Sequence, residues 1–155
     1  QLPRKFVVGF VSANSFNGDL NSNPFKFNHF NITNLVVYVD GIMIPSTAYT
    51  PDFDNNIYAR EYFSLYEEMN QDHTHPFLNI SFYEFKQSLC LFAFNLSPDR
   101  SDGPDCGSLT LIKRGAARIE VKFKNAPSTA FVMLTYAHYD NLIQIDRDRN
   151  VLTDY

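Results

Sequence analysis

The chain of 155 residues contains no tryptophan, two cysteines, six glycines and eight prolines. Glycine and proline at this level exclude collagen-like and low-complexity classes. Charge is also sparse: 19% of residues are charged, too few for a disordered acidic or basic chain. Against 17 Asp and Glu stand only 13 Lys and Arg, for a net charge of −4. An acidic balance is a poor start for a protein that binds a phosphate backbone. No apolar run approaches the ~20 residues that a membrane-spanning helix needs. The opening Gln1-Leu2-Pro3-Arg4-Lys5 is not a signal peptide and has no initiating methionine, and reads as a processed product or a piece of a longer chain. Cys90 and Cys106 could form one bridge, but a lone pair does not make a disulfide framework, and the free-thiol reading is preferred. P-loop, GxGxxG and GxSxG motifs are all missing.

What is present in excess is phenylalanine and tyrosine, 15 and 9 residues, in a chain that is 45% hydrophobic. Such aromatics favour sheet surfaces and wide interfaces. The sequence parses into short strands separated by turn signals. Lys5 to Ser12 is β-branched and aromatic, with Gly9 marking a bulge or a close approach. Asn14 to Pro24 is a polar loop with a tight turn at Asn17-Gly18. Ile32 to Val39 is the strongest strand, and Asp40-Gly41 turns it into Ile42-Met43-Ile44. Tyr58, Tyr62, Leu65, Tyr66 and Met69 recur at helical spacing, which predicts a helix of about three turns. Ile80 to Leu89 reads as short helical or irregular chain before a strand over Cys90 to Leu96.

Pro98 to Gly107 is a loop. Ala117, Ile119, Val121 and Phe123 then alternate with Arg118, Glu120, Lys122 and Lys124, which predicts a half-buried strand with one wet face. Ala130 to Tyr139 reads as a strand buried on both faces, and Leu142 to Ile145 as a last strand. The expected fold is all-β: an antiparallel sandwich in one domain over 1–155, with a short helical insertion.

Catalytic constellations are weak. His73 and His75 with a distant His138 would give a cupin-like metal site, but the next acid, Glu84, is too far along for that pattern. A polar loop is the better reading, and no metal ligand is assigned. Cys90 or Cys106 with His138 has no local support as a nucleophilic pair. Glu67 and Glu68, or Asp99, Asp102 and Asp105, could be a general acid/base pair or a Ca²⁺ loop, but the EF-hand spacing is absent and an acidic helix face or solvated loop is the better reading. Lys113, Arg114, Arg118, Lys122 and Lys124 form a solvated strand face rather than a nucleic-acid platform. No catalytic residue or cofactor site is assigned. The sign-alternating run through Asp146, Arg147, Asp148 and Arg149 suits ion pairing at a subunit contact.

Several segments, in order, resemble a known family: LPRKFVVGFV, FNGDLNSNPFKFNHFNITNLVVYVDGIMIP, YAREYFSLY, LFAFNLSPDRSDG and YAHYDNLIQIDRDRNVLTDY. The pattern is similar to the C-terminal part of the hexon-like, double-jelly-roll major capsid proteins of Maverick/Polinton elements, adintoviruses and adomaviruses. Relatives of these also sit integrated in animal genomes. The resemblance implies an eight-stranded antiparallel jelly roll, the C-terminal one of two, in a structural protein of the virion. It also implies homotrimeric, pseudo-hexagonal capsomers in a capsid lattice, with penton and minor capsid proteins as further partners. About one roll's worth of residues is present. Independently of the resemblance, because insertions and loops at the ends of a sandwich carry its intersubunit contacts, the contact residues expected are Tyr58, Tyr62 and Tyr66 in the helical insertion and Asp146, Arg147 and Arg149 near the end. The reading that competes is a ligand-binding jelly roll such as a carbohydrate-binding module, with the cupin-like metalloprotein behind it.

Overall fold

Strand β1 (Lys5–Ser12) carries the inward set Phe6, Val8 and Phe10, a two-residue period that puts three large apolar side chains on one face. The computed structural model describes residues 1–69, 78–97, 114–139 and 143–153. A four-residue helical turn α1 (Ala13–Phe16) follows β1, capped by Ser12, whose Oγ accepts from the Ser15 N–H. Strands β2 (Ile32–Val39) and β3 (Ile42–Tyr49) form a hairpin through Asp40 and Gly41, with φ of 50° and 84°. Such positive φ at both turn positions is what Asp-Gly accommodates. Helices α2 (Ala59–Glu68) and α3 (Phe82–Gln87) come next, then β4 (Leu91–Asn95), β5 (Ala117–Phe123), β6 (Phe131–His138), β7 (Ile143–Ile145) and β8 (Val151–Thr153).

The strands divide into antiparallel sheets in the orders β4-β1-β6 and β3-β2-β5, with β7-β8 as a separate hairpin. The two larger sheets face each other. Phe6, Val8 and Phe10 of β1 and Phe92 and Phe94 of β4 meet Ile32, Leu35 and Val37 of β2 in one buried cluster. Tyr49 of β3 crosses to the rings of Phe92 and Phe94, at 6.3 and 5.6 Å. Each such side chain removed from water contributes ~1.5–3 kcal/mol before conformational entropy is set against it. The fold is thus mostly β and antiparallel, built as two facing sheets with a helical insertion.

Gly9 is explained by close approach. A Cβ at this position would lie 2.6 Å from Phe27 Cδ1 and 2.8 Å from Leu91 Cδ2. Phe27 reaches this place because its N–H donates to Ser88 O and its carbonyl accepts from the Cys90 N–H.

Strand β6 departs from expectation. Its apolar sequence predicts burial on both faces, yet Met133 is 43% and Tyr136 72% exposed. The cause is position: among the described residues β6 pairs with β1 on one side only, so an apolar sequence here makes an edge rather than a centre. Register places Phe131, Met133, Thr135 and Ala137 on the inner face, opposite Ser12, Phe10, Val8 and Phe6. The facing edge of the other sheet is β5, with Ala117, Ile119, Val121 and Phe123 inward. Phe10, Phe123 and Phe131 close one end of this β5/β6 seam, with centroids 5.2–6.2 Å apart. Towards Ala117 and Ala137 the seam gapes into a groove of about 200 Å³, also lined by Leu2, Ile119 and Tyr139.

Candidate functional site

The hydroxyls of the tyrosine stripe along α2 and its N-cap meet backbone. Residues four apart on a helix share a face, so Tyr58, Tyr62 and Tyr66 line up against the segment leading into α3. Tyr58 Oη donates to Phe82 O, while Tyr62 Oη and Tyr66 Oη both donate to Ile80 O, at 2.9 and 2.6 Å. Tyr66 Oη also accepts from the Ile80 N–H. Segment 78–81 has no strand partner among the described residues, and the stripe supplies its hydrogen bonds. A capping box between Ser81 and Glu84 then starts α3.

Tyr58 is 2% exposed and stacks on Phe82 at 4.2 Å and on Phe53 at 5.3 Å, so the structure places it in the interior. Tyr62 and Tyr66 are half-buried and, with Phe63, Leu78 and Ile80, wall an open groove of about 300 Å³. Burial, then the bond with Tyr66, pushes the Tyr62 hydroxyl up to about 12. It stays protonated at neutral pH and acts as a hydrogen-bond donor, not as a base. Phe63 and Tyr83 stand out to solvent nearby on α2 and α3.

Glu61 and Cys90, both inside the protein, have their pKa values raised. Glu61 is buried; its Oε1 accepts the Thr50 N–H at 3.1 Å, joining α2 to the end of β3, and burial raises its pKa. Cys90 is wholly buried and its thiol is pushed well up, first by desolvation and then by Glu61. A protonated thiol in apolar surroundings is unreactive. His138, exposed on the outer face of β6 opposite Lys5, is not brought to it: β1 lies between, and Cys90 adjoins the Gly9 end. His73, His75, Cys106, Lys113 and the expected loop with Asp99, Asp102 and Asp105 lie outside the described residues. Among the described residues no three His, Cys, Asp or Glu side chains gather as a metal site.

The loop after β3 has chemistry that sequence reading misses. Asp52 accepts from the N–H groups of Asp54 and Asn55 and from Asn55 Nδ2. Two ammonium groups from distant elements dock on it: Lys86 Nζ on Phe53 O and Asn56 Oδ1, and Lys124 Nζ on Asp54. His29 stacks on Phe53 at 4.1 Å, and its Nδ1 accepts the Asn31 N–H at 3.0 Å. That bond requires an unprotonated Nδ1. Burial, then Lys86, lowers the pKa of His29, with Asp54 opposing. The Asp-x-Asp-Asn-Asn run at 52–56 is the available signal, since such residues bond their own backbone.

On the wet face of β5, Arg118 and Lys122 share one carboxylate, each 3.6 Å from Glu120, and Lys124 just beyond the strand pairs with Asp54.

The terminal run forms the β7–β8 hairpin. Asp146 is its clasp: Oδ1 accepts from the Asn150 N–H and Oδ2 from Asn150 Nδ2, both at 2.8 Å. Those bonds hold the Asp146 carboxyl below the ordinary range. Arg149 sits at φ 65°, and Arg147 and Arg149 are exposed on the turn. Pairing of Ile143 with Thr153 and of Ile145 with Val151 puts Ile143, Ile145 and Val151 on one face, and they are 63, 69 and 61% exposed. Strand signals in the sequence stop at Ile145, so β8 is an addition. The Asp146–Asn150 pairing that closes the turn is its signal.

No protein-family model and no solved structure matches the chain. The chain is similar to an uncharacterized protein of Caenorhabditis elegans, 26% identical over 158 residues. The match takes in 99% of this chain and 37% of that protein's length.

Proposed function

We propose that the chain is a structural, shell-forming module: one jelly roll of a hexon-like, double-jelly-roll major capsid protein that builds homotrimeric capsomers of a virion. The observation that carries this reading is the ordered resemblance from LPRKFVVGFV to YDNLIQIDRDRNV. Two facing antiparallel sheets suit it, as do the large apolar side chains left exposed at Met133, Tyr136 and the β7–β8 hairpin. A match to 37% of the nematode relative's length suits one roll of a longer chain. The finer architecture, with strands divided four and four, belongs to this proposal. Its partners are a preceding roll, further copies, and penton and minor capsid proteins. In this reading the chain catalyses nothing and takes no cofactor. Size-exclusion chromatography with light scattering on the full-length parent tests it. A trimer or larger particle is expected, and a strictly monomeric species at high concentration overturns it.

The aromatic-walled groove at Tyr62, Phe63 and Tyr66 favours a second reading, a carbohydrate-binding jelly roll, because sugar rings stack on exposed aromatic faces. A glycan array with and without Ca²⁺ discriminates; binding to a defined glycan would transfer the assignment. Metal content of the purified protein disposes of the cupin-like alternative through His73, His75 and His138 if it is substoichiometric.

A further inference from the structure

The turn that leads into β2 is held in a conformation that phenylalanine rarely adopts. Phe30 and Asn31 lie at φ 44° and 52°, inside a turn closed by the Ile32 N–H on His29 O at 2.9 Å. Asparagine tolerates this left-handed region, but a bulky ring there has to be held in place. His29 Nδ1 accepts the Asn31 N–H at 3.0 Å, Asn31 O accepts the Lys124 N–H at 2.9 Å, and the Phe30 ring packs on Phe131 at 5.2 Å. His29 also ends a column of stacked rings that runs through Phe53 and Tyr58 to Phe82, with centroids 4.1–5.3 Å apart. The turn thus ties the helical insertion to the sealed end of the β5/β6 seam.

We infer that protonation of His29 opens the 29–32 turn in acid and lifts Phe30 from Phe131, while the two sheets stay paired. The proton takes the Nδ1 lone pair and turns an acceptor into a donor that faces the Asn31 N–H. Stacking on Phe53 serves either protonation state, so Nδ1 is the atom that decides. Lys86, which reaches the neighbouring loop from α3, opposes a second positive charge. Asp54 favours it, but that carboxylate is already paired with Lys124, and Asp52 is engaged with Asn55 and the Asp54 N–H. Burial acts in the same direction as Lys86, so the closed turn favours the neutral ring. Without its acceptor the left-handed backbone at Phe30 relaxes, and the rings of Phe53 and Phe131 gain solvent. This device goes beyond the shell reading and does not rest on it.

Amide hydrogen exchange and nitrogen NMR of the imidazole test it in the 155-residue chain. At neutral pH, Nδ1 is expected to carry no proton and the Asn31 amide to be protected. At about pH 5, below the ordinary imidazole range, Asn31 protection corrected for intrinsic exchange is expected to fall about tenfold, the effect of losing one hydrogen bond. Paired amides of β1 and β2 are expected to keep theirs. His29→Asn sets a carboxamide oxygen near the place of Nδ1 that takes no proton in this range, and is expected to keep Asn31 protected at both pH values. His29→Phe keeps a ring on Phe53 without an acceptor, and is expected to leave Asn31 open at both. A proton on Nδ1 at neutral pH overturns the inference, and so does unchanged Asn31 protection in acid. An equal fall in β1 and β2, or in His29→Asn, overturns it too. Should His29→Phe fail to fold, the native chain and His29→Asn still decide.

Discussion

The two ends of the β5/β6 seam share one pair of strands and one alternation, and differ in structure by a great deal. At one end Phe10, Phe123 and Phe131 fill the space between the sheets with three rings in contact. At the other, Ala117 and Ala137 occupy equivalent inward positions and leave a groove. Alternation alone dictates which side chains face inward; their volume decides whether the sheets then touch. A sandwich can therefore be sealed by three phenylalanines and left open by two alanines along the same seam.

Phe10→Ala breaks the sealed end. A loss of ~3–5 kcal/mol in unfolding free energy is expected, read by denaturant titration, because a fully buried ring leaves a cavity that the facing rings fill only in part. Gly9→Ala, one residue away on the same strand, pushes a methyl group into Phe27 and Leu91. It is expected to cost ~1–3 kcal/mol by the same measurement.

Two groups away from the seam give opposite pH dependences. Glu61 has its pKa raised by burial above the ordinary 4.5, so its contribution to stability is complete below that value and is lost as pH rises through the native value. Glu61→Gln is expected to raise the midpoint of thermal unfolding at neutral pH and to remove this slope. His29 has its pKa lowered from 6.5, so the stability due to its neutral form is complete above pH 6.5 and is lost as pH falls through the native value. A thermal unfolding series across that range is expected to drop in the native chain and to flatten in His29→Gln.

The smallest effect belongs to the open end of the seam. Thr135→Ile adds volume where there is room, and a change within ~0.5 kcal/mol is expected on denaturant titration. A loss comparable to that of Phe10→Ala would show that the seam is packed after all.

Strands β1, β2 and β5 and helix α2 are legible in the sequence because each has a clean period, and Asp40-Gly41 announces its turn. What stays hidden depends on neighbours. Nothing in Phe131 to His138 says that the strand lies at an edge, for an apolar run reads alike whether one side or both are covered. Of the six residues expected at contacts, Tyr58 is interior, and Tyr62 and Tyr66 hold segment 78–81 through their hydroxyls. Their helical spacing is visible, but the backbone oxygens that receive them are not. Asp146 clasps a turn, and Arg147 and Arg149 stand on that turn, exposed.

The pairing order has a kinetic consequence. Strands β2 and β3 are neighbours in sequence and can zip up alone. Strand β1 must wait: Phe6 pairs with Phe94 on one side and with Ala137 on the other, both far along the chain. Until those partners arrive, Phe6, Val8 and Phe10 have no completed inner face to join. Chains rich in such distant pairings fold slowly, because loop closure must precede any reward. The β2–β3 hairpin is therefore expected to form early, and the distant pairings of β1 with β4 and β6 and of β2 with β5 to follow it.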